Sequence, residues 1–484
     1  MAYKPTIGLE IHAELKTNSK MFCSCKNDPD EKRPNYNICP VCTAQPGTLP
    51  VANEEAIKKV IKTGLALNCK IAEDSKFDRK NYFYPDLPKG YQISQYDQPL
   101  CSSGFLEIAG RRIRITRIHL EEDTGSLMHP EGTDYSLVNL NRAGIPLMEL
   151  VTEPDITSGK EAREFAEELQ LILRYLGVSD ADMEKGQMRV EVNISLSSSK
   201  KLGTKVEIKN LNSFKVVEKA IDFEIARQEE VLESGEKVVQ ETRGWHDKKE
   251  ITFSQREKEE AHDYRYFPEP DLPPMHFEKD YIDKIRAAVP ELPAQKRERF
   301  KKEYGLNAGS IEFFVANKDL SEYFEKVVSE FEEWTEEEEK GQAHIKASKL
   351  AANYLISDVK GLLGDKNFVK TEFKITPENF AEFVKMIYKG EISSKIAKMV
   401  LTDMFNTGSD PSTFVEENNL RQMSDDSELE KIVKDVVEKN TKAVDDYKKG
   451  KSASLQFLAG RVMAVTKGRA KPETVQKLLK DLLK

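Results

Sequence analysis

Glutamate and histidine side chains recur at every second position in four short segments of this chain. In residues 7–15, Glu10, His12 and Glu14 alternate with apolar residues. Side chains two residues apart in a β-strand lie on one face of the sheet, so the pattern predicts a half-buried strand with one polar face. The same alternation occurs at 112–122 (Arg117, His119, Glu121), at 189–196 (Arg189, Glu191, Asn193) and at 205–209 (Glu207, Lys209).

Four such strands in one region would gather several negative charges on one surface. A solvated antiparallel sheet also alternates polar and apolar residues, and it is the alternative explanation for any single strand. Carboxylate oxygens together with an imidazole suit Mg²⁺ or Mn²⁺, and Mg²⁺ is usually shared with substrate phosphates. The segments therefore predict the floor of a metal-dependent phosphate site. For His119, a hydrogen-bonded core histidine is the alternative interpretation.

Four of the six cysteines lie close together in the sequence. Cys23 and Cys25 form one pair, Cys39 and Cys42 form another, and 13 residues separate the pairs. This spacing is typical of a tetrahedral four-thiolate zinc site in a small insertion that cannot build its own core. The alternative is a set of reduced thiols without metal, since intracellular proteins seldom keep disulfides. We expect structural zinc.

Two helical patterns are expected to support the sheet. The sequence at 158–161 resembles a capping box, which favours a helix start, and Gly177 marks the end of the pattern. The apolar stripe between them consists of Phe165, Leu169, Ile172, Leu173 and Leu176. A second apolar helical pattern covers residues 214–232. We expect the first helix to pack against one face of the sheet.

At 484 residues the chain is too long for one typical core. The patterns predict an α+β protein with a mainly antiparallel sheet in a catalytic domain at 1–290, which carries the cysteine insertion at 22–43. A charged, helical pattern then predicts an all-α domain at 291–406. A turn-rich linker precedes a small helical tail domain at 407–484.

Charge is distributed unevenly along the chain. The net charge is −9, yet the last 39 residues hold ten Lys or Arg and three Asp or Glu. This asymmetry favours a basic appendage that binds a nucleic acid, with solvated lysine-rich helices as the alternative. No apolar run is long enough for a membrane span, and no apolar signal segment precedes the first strand. We therefore expect a cytoplasmic protein without a membrane partner.

The chain has neither a P-loop nor a Gly-x-Gly-x-x-Gly motif. If ATP is used, metals and basic side chains on a sheet must hold its phosphates. Two segments, 77–86 and 263–268, interleave aromatic rings with Arg, Lys and Asp. Such rings usually belong to a core, but the charges between them favour a polar tunnel or a surface on which a base stacks.

Six longer motifs resemble the family of B subunits of the bacterial and organellar aspartyl/glutamyl-tRNA amidotransferases. The resemblance extends through essentially the whole chain, and motifs of this length in this order are highly specific. The motifs are Gly8–His12, Phe77–Asp86, His119–Gly125, Asn139–Glu149, Glu207–Ser213 and Asp263–Pro268.

The resemblance implies a cradle domain related to glutamine synthetase and guanidino kinases, a helical domain, and a tail that contacts tRNA. It implies a heterotrimer with an amidase (A) subunit and a small C subunit, and tRNA(Gln) and/or tRNA(Asn) as partners. ATP would phosphorylate the side-chain carboxylate of the misacylated Glu or Asp. Ammonia released from glutamine by the amidase would then displace phosphate, giving Gln-tRNA or Asn-tRNA.

The resemblance also implies roles for individual residues. The residues carried over as catalytic Mg²⁺ ligands are Glu10, His12, Glu121 and Glu149. Those assigned to a second metal, ATP or the acceptor end are Arg189, Glu191, Asn193, Glu207, Lys209 and Asn210. Those assigned to the ammonia path are Lys80, Asn81, Tyr82 and Tyr84. Two other hypotheses remain open: a kinase or ligase acting on a free small carboxylate or guanidino compound, and a non-catalytic RNA-binding or assembly subunit.

Overall fold

The computed structural model describes residues 3–257, 264–333, 340–364, 366, 368, 372–423 and 426–483. The chain divides into two compact units, Met1–Pro293 and Ala294–Lys484. The first unit contains all the β-strands that the structure describes, and the second is built from helices.

The strands of the first unit are numbered in chain order. They are β1 (Lys4–Glu14), β2 (Lys70–Ile71), β3 (Asp74–Ser75), β4 (Asp78–Asn81), β5 (Tyr91–Ser94), β6 (Cys101–Ile108), β7 (Arg111–Glu122), β8 (Ser126–Met128), β9 (Leu137–Asn139), β10 (Pro146–Thr152), β11 (Met188–Ser197), β12 (Val206–Leu211), β13 (Glu241–His246), β14 (Ile251–Glu257), β15 (Arg265–Pro268) and β16 (Met275–His276).

A nine-stranded sheet in the order β14-β13-β12-β11-β1-β10-β7-β6-β2 dominates this unit. Its neighbours pair in antiparallel fashion, except that β12 and β13 are parallel. The four predicted polar-faced strands are β1, β7, β11 and β12, so their assignment from alternation is confirmed. A smaller sheet in the order β15-β4-β5 contains parts of both aromatic segments. The predicted α+β fold class is confirmed.

Helices cover the apolar face of the large sheet. They are α1 (Glu54–Ala66), α2 (Gly159–Tyr175), α3 (Phe214–Glu233) and α4 (Lys279–Ala287). Helix α2 begins where the capping residues predict, because the Ser158 hydroxyl accepts a hydrogen bond from the Glu161 N–H at 3.2 Å. Phe165, Leu169 and Leu173 are fully buried and share one core with Ile11 and the other apolar strand residues. The apolar face is thus occupied by scaffold, which leaves the polar face for chemistry.

The second unit is helical. Its helices are α5 (Pro293–Tyr304), α6 (Ala308–Ala316), α7 (Lys318–Ser329), α8 (Lys340–Asn353), α9 (Lys360–Leu363), α10 (Pro377–Tyr388), α11 (Ser394–Thr407), α12 (Pro411–Glu417), α13 (Asp426–Lys439), α14 (Thr441–Lys448), α15 (Ser452–Val465) and α16 (Pro472–Leu483). A π-helical turn, Tyr354–Val359, joins α8 to α9, and a 3₁₀ turn, Glu330–Glu333, follows α7. Helices α13 to α16 share a small apolar core that includes Val433, Leu458 and Leu479. Within the described residues, no helix has both the length and the apolar character needed to cross a bilayer.

Candidate active site

Strand register places two histidines, one glutamate and one arginine from four neighbouring strands in one row across the sheet. His12 on β1 lies opposite Glu149 on β10, and Glu149 lies opposite His119 on β7. On its other side, His12 lies opposite Arg189 on β11. Residues directly opposite each other in antiparallel strands share a face and lie within side-chain reach. The row is therefore Arg189, His12, Glu149 and His119.

Two more glutamates complete the cluster from the neighbouring positions. Nε2 of His12 is 3.4 Å from Glu149 Oε2, 3.7 Å from Glu121 Oε1 and 3.9 Å from Glu10 Oε1. Nε2 of His119 is 3.5 Å from Glu149 Oε2 and 3.7 Å from Glu121 Oε2. All four sequence-predicted magnesium ligands therefore meet at one place on the polar face.

The cluster contains two overlapping groups of possible metal ligands. In each group, one ligand atom from every residue lies within 4.8 Å of the others: Glu10 with His12 and Glu149, and His119 with Glu121 and Glu149. Glu149 belongs to both groups. Oxygen-rich donor sets with one imidazole fit Mg²⁺ or Mn²⁺ better than soft metals. The residues present thus fit the predicted ion and offer two positions that share one carboxylate.

Buried charges perturb one another strongly here. Burial alone would lower the pKa of His12, but its hydrogen bond to Glu149 and the negative charges of Glu121, Glu149 and Glu10 raise it to about 9. Burial and the nearby charge of Glu149 raise the pKa of Glu10. Burial also opposes ionisation of Glu149, yet the two histidines and Lys80 hold its pKa below the ordinary value. The carboxylates of Glu10 and Glu149 repel each other, and a bound cation would relieve this repulsion.

His119 was not assigned as a ligand from the sequence. It is buried, yet its Nε2 is directed at Glu121 and Glu149, which are two of the three carboxylates that approach His12. Within the described residues its Nδ1 has no hydrogen-bond partner. Its alternation with Arg117 and Glu121 was the available signal. What the sequence lacked was the pairing of β7 with β10, which brings His119 opposite Glu149.

A second charged group lies at the edge of the cluster. Buried Asp123 accepts hydrogen bonds from the guanidinium groups of Arg142 and Arg189, and Arg142 also lies 3.0 Å from Glu14. Burial opposes ionisation of Asp123, but the two arginines lower its pKa to about 2. Burial raises the pKa of Glu14 to about 7, against the effect of Arg142. Glu14 follows Glu10 and His12 at the same two-residue spacing. The same spacing, continued from Glu121, leads to Asp123, so the sequence offered a signal for both residues.

Strands β11 and β12 extend the polar face away from the histidines. Lys209 Nζ lies 2.8 Å from Glu191 Oε2 and 3.4 Å from Glu207 Oε1. The buried Oδ1 of Asn193 has no hydrogen-bond partner within the described residues. Asn210 is different, because it is exposed and adopts a left-handed backbone (φ +62°) next to a register shift between β11 and β12. The structure thus groups four of these candidates and leaves Asn210 apart.

The two aromatic segments meet in the small sheet. Tyr266 on β15 lies opposite Lys80 on β4, and Lys80 Nζ lies 4.9 Å from the ring centroid of Tyr264. The Tyr82 ring contacts the Tyr264 ring edge-on at 5.6 Å. Burial would lower the pKa of Lys80, but the carboxylates of Glu121 and neighbouring groups raise it above its ordinary value. The lysine is therefore coupled electrostatically to the carboxylate cluster.

The other residues of the predicted ammonia path have different environments. The Asn81 amide donates hydrogen bonds to the backbone carbonyls of Arg79 and Arg265, which holds β4 against β15. Tyr84 is 62% exposed. Asp263, the first residue of the second aromatic motif, lies outside the described residues.

The four cysteines of the insertion also come together. The Sγ atoms of Cys23, Cys25, Cys39 and Cys42 all lie within 4.8 Å of one another, and all four thiols are free. A hydrogen bond from Cys23 lowers the pKa of Cys42 to about 5, against the effect of burial, and the charge of Lys20 contributes in the same direction. Four converging sulfur atoms suit the tetrahedral Zn²⁺ site predicted from their spacing.

Comparison with known proteins identifies the family to which this chain belongs. Residues 5–283 match the family model described as the GatB/GatE catalytic domain, and residues 329–483 match the GatB domain. The first match alone covers more than half of the chain and contains every residue of the histidine–carboxylate cluster. This chain belongs to the GatB family. The family predicted from the sequence motifs is confirmed.

Relatives in the GatB family match over their full lengths. The B subunit of the aspartyl/glutamyl-tRNA(Asn/Gln) amidotransferase of Persephonella marina is 50% identical, with 100% of both chains covered. The B subunits of the same enzyme from Thermotoga maritima and Caldanaerobacter subterraneus are each 48% identical, with 100% of this chain and 99% and 100% of those proteins covered. The predicted enzyme class, a component of a tRNA-dependent amidotransferase of the ligase type, is therefore confirmed.

Proposed function

We propose that this chain activates the side-chain carboxylate of Glu-tRNA(Gln), Asp-tRNA(Asn) or both with ATP and then amidates it. The γ-phosphoryl group of ATP is transferred to a carboxylate oxygen, which releases ADP and gives a mixed anhydride. Ammonia attacks the acyl carbon, phosphate leaves, and the product is Gln-tRNA or Asn-tRNA. The observation that carries this proposal is the pair of ligand groups sharing Glu149 on the sheet of a GatB-family chain.

Glu10, His12, Glu121 and Glu149 are proposed to hold Mg²⁺, and His119 joins them as a further ligand. When bound, the metal supplies charge neutralisation to a phosphoryl group whose transfer depends mainly on positioning and electrostatics. The chain itself contributes a rigid floor, because the ligands project from hydrogen-bonded strands whose other face is packed against α2 and α3.

The remaining polar residues of the sheet are proposed to bind ATP or the acceptor end of the tRNA. Arg189 lies next to His12 in the register, and the two arginines on Asp123 supply positive charge at one edge of the cluster. On the other side, Glu191, Asn193, Glu207 and Lys209 offer acceptors and one cation. The same role is proposed for Asn210, but the exposed position of this residue beside a bulge supports the role less than the positions of the other residues do.

Ammonia is proposed to reach the cluster along β4, past Lys80, Asn81, Tyr82 and Tyr84. The Tyr264 ring lies 4.9 Å from Lys80 Nζ and contacts the rings of Tyr82 and Tyr266, and the charge of Lys80 is coupled to Glu121. An amidase subunit that hydrolyses glutamine is the proposed source of the ammonia, in a heterotrimer with a small C subunit.

Replacing Tyr82 should affect amidation from glutamine and amidation from added ammonium to different extents. We expect Tyr82→Ala to lower glutamine-dependent amidation more than amidation driven by added ammonium, because the substitution opens the path to solvent without removing a ligand of the cluster. The measurement is the ratio of the two rates in the assembled complex. Tyr135→Ala is the control, because Tyr135 is a 57% exposed tyrosine outside the proposed path. An unchanged ratio would exclude Tyr82 from the path.

Three further assignments complete the proposal. The domains are 1–290 for catalysis, 291–406 for a helical domain and 407–484 for a tail that binds tRNA through its basic surface. Cys23, Cys25, Cys39 and Cys42 are proposed to hold structural Zn²⁺. The protein is proposed to act in the cytoplasm.

The direct test uses this chain co-expressed with its partner subunits. Glu-tRNA(Gln) and Asp-tRNA(Asn) are supplied with ammonium, with and without ATP, and the aminoacyl group is identified after release. We expect ATP-dependent Gln or Asn. Absence of product from an intact, tRNA-binding complex would favour a non-catalytic assembly role, and ATP turnover with a free carboxylate in place of tRNA would favour a small-molecule kinase.

A further inference from the structure

Lys20 is a buried lysine beside the cysteine cluster. Its side chain is 1% exposed, and its Nζ lies 3.8 Å from Cys42 Sγ and 3.3 Å from the carbonyl oxygen of Leu140. Within the described residues, no carboxylate lies within ion-pairing distance of this ammonium group. Burying a charge without a counter-charge is costly, so a lysine in this position requires negative charge nearby.

The cysteine cluster can supply that charge when it holds a metal. Four thiolates around one Zn²⁺ carry a net charge of −2, and thiolates are the ligating form of cysteine. The sulfur atom nearest to Lys20 also accepts a hydrogen bond from the backbone N–H of Cys39 at 3.2 Å. Lys20 would therefore reduce the net charge of the loaded site to −1, and it is one of two hydrogen-bond donors directed at the same sulfur.

The second partner of Lys20 connects the cluster to the catalytic sheet. Leu140 belongs to the loop between β9 and β10, and β10 carries Glu149. The cysteine insertion holds this loop by further hydrogen bonds. The Asn141 side-chain oxygen accepts from the N–H groups of Tyr36 and Asn37 at 2.8 and 3.0 Å, and the Leu140 N–H donates to Asn35 Oδ1 at 2.7 Å.

The same loop reaches the charged group at the edge of the active site. Arg142, two residues after Leu140, binds both Asp123 and Glu14. Gly144 of the same loop has a left-handed backbone (φ +87°). A Cβ added to it would lie 3.6 Å from both Cys42 Cβ and Lys20 Cδ, so the loop packs closely against Cys42 and Lys20. The insertion, the loop and β10 thus form one continuous set of contacts.

We infer that Lys20 is a positioning residue of the four-cysteine site. Its ammonium group compensates the charge of the metal-bound thiolates and, through the Leu140 carbonyl, ties that site to the loop that leads into β10. This inference rests on the proposed zinc site. It assigns the insertion a task beyond local stability, which is to hold the start of the strand that carries Glu149.

The test compares Lys20→Met with Lys20→Arg in the co-expressed complex. Lys20→Met keeps an apolar chain of similar length and removes the charge, whereas Lys20→Arg retains the charge. We expect Lys20→Met to weaken zinc affinity roughly 10–100-fold, in the range found for groups that support metal ligands, and Lys20→Arg to restore most of it. Affinity is read from zinc retained against a chelator series. Lys26→Met is the matched control, because Lys26 lies in the same insertion with its side chain 71% exposed.

A second measurement uses the unaltered protein, so it does not depend on the folding of a variant. Removing zinc should increase amide hydrogen exchange in residues 138–149 and leave α2 unaffected. If the purified wild-type complex contains no zinc, the proposed zinc site is overturned. Zinc in the wild type with equal affinity in Lys20→Met, or unchanged exchange at 138–149 after zinc removal, would overturn the role of Lys20 and leave the zinc site standing.

Discussion

Glu149→Gln should reduce ATP-dependent amidation by roughly 10³-fold or more, even with ammonium as the nitrogen donor. Glu149 is the one carboxylate shared by both ligand groups, and it approaches His12 at 3.4 Å and His119 at 3.5 Å. The amide keeps the size of the side chain but removes the charge that both positions share. Loss of several kcal/mol of transition-state stabilisation corresponds to about three orders of magnitude in rate.

The affinity for tRNA should change little in the same variant, since Glu149 lies on the floor of the cluster. Amidation rate and tRNA affinity are measured on the same complex, together with Mn²⁺ binding, which should weaken. Glu107→Gln is the matched control, because this glutamate lies on β6 of the same sheet with its side chain 56% exposed. Activity close to wild type, or a loss of tRNA affinity equal to the loss of rate, would contradict the metal assignment.

Replacing Lys442, Lys448 and Lys449 together by glutamine should weaken tRNA binding about tenfold or more near 0.15 M salt. All three lysines are exposed on or just after α14. Nearby lies a cavity of about 470 Å³ lined in part by Lys442 and Phe457, and the Phe457 ring is stacked by Arg461 at 5.3 Å. Cations around an exposed ring are suited to phosphates and bases.

The salt dependence of binding distinguishes phosphate contacts from misfolding. The slope of log affinity against log salt concentration should fall by about one for each lysine that neutralises a phosphate, while the amidation rate at saturating tRNA stays near wild type. Point variants are preferable to truncation, because the tail is hydrogen-bonded to the preceding helices, for example from Ser393 to the Gly468 carbonyl. Lys301, Lys302 and Lys346, replaced in the same way, provide the control. An unchanged slope would show that these three lysines do not contact tRNA phosphates.

Local patterns were sufficient to predict the elements of the fold. Alternation of polar and apolar residues located β1, β7, β11 and β12, and the capping residue Ser158 located the start of α2. These signals depend on residues close in sequence, because the side-chain period of a strand or helix and the satisfaction of the first helical N–H groups are local properties. The cysteine cluster was also predictable from local sequence, since the spacing of the four cysteines alone indicated a common site.

The family also followed from the sequence, because long motifs in a fixed order are specific without any structure. Individual roles were more difficult to assign. Lys80 was predicted only as a residue of the ammonia path, yet its charge is coupled to Glu121. Asn210 was grouped with Lys209, yet the bulge between β11 and β12 leaves it exposed. A bulge or the pairing of distant strands leaves no periodic signal in the sequence.

The sequence by itself determined which residues carry the polar face, the fold class, the spacing of the four cysteines and the family. Only the tertiary structure decided how the strands align these residues, that His119 joins the predicted ligands, and which loop contacts the cysteine cluster. The order β1-β10-β7 makes Glu149 common to His12 and His119, and the path of the β9–β10 loop brings the Leu140 carbonyl to Lys20. The physical reason is that register and loop contacts depend on the packing of segments that are distant in the sequence, by 120 residues for Lys20 and Leu140, and local periodicity does not encode this packing.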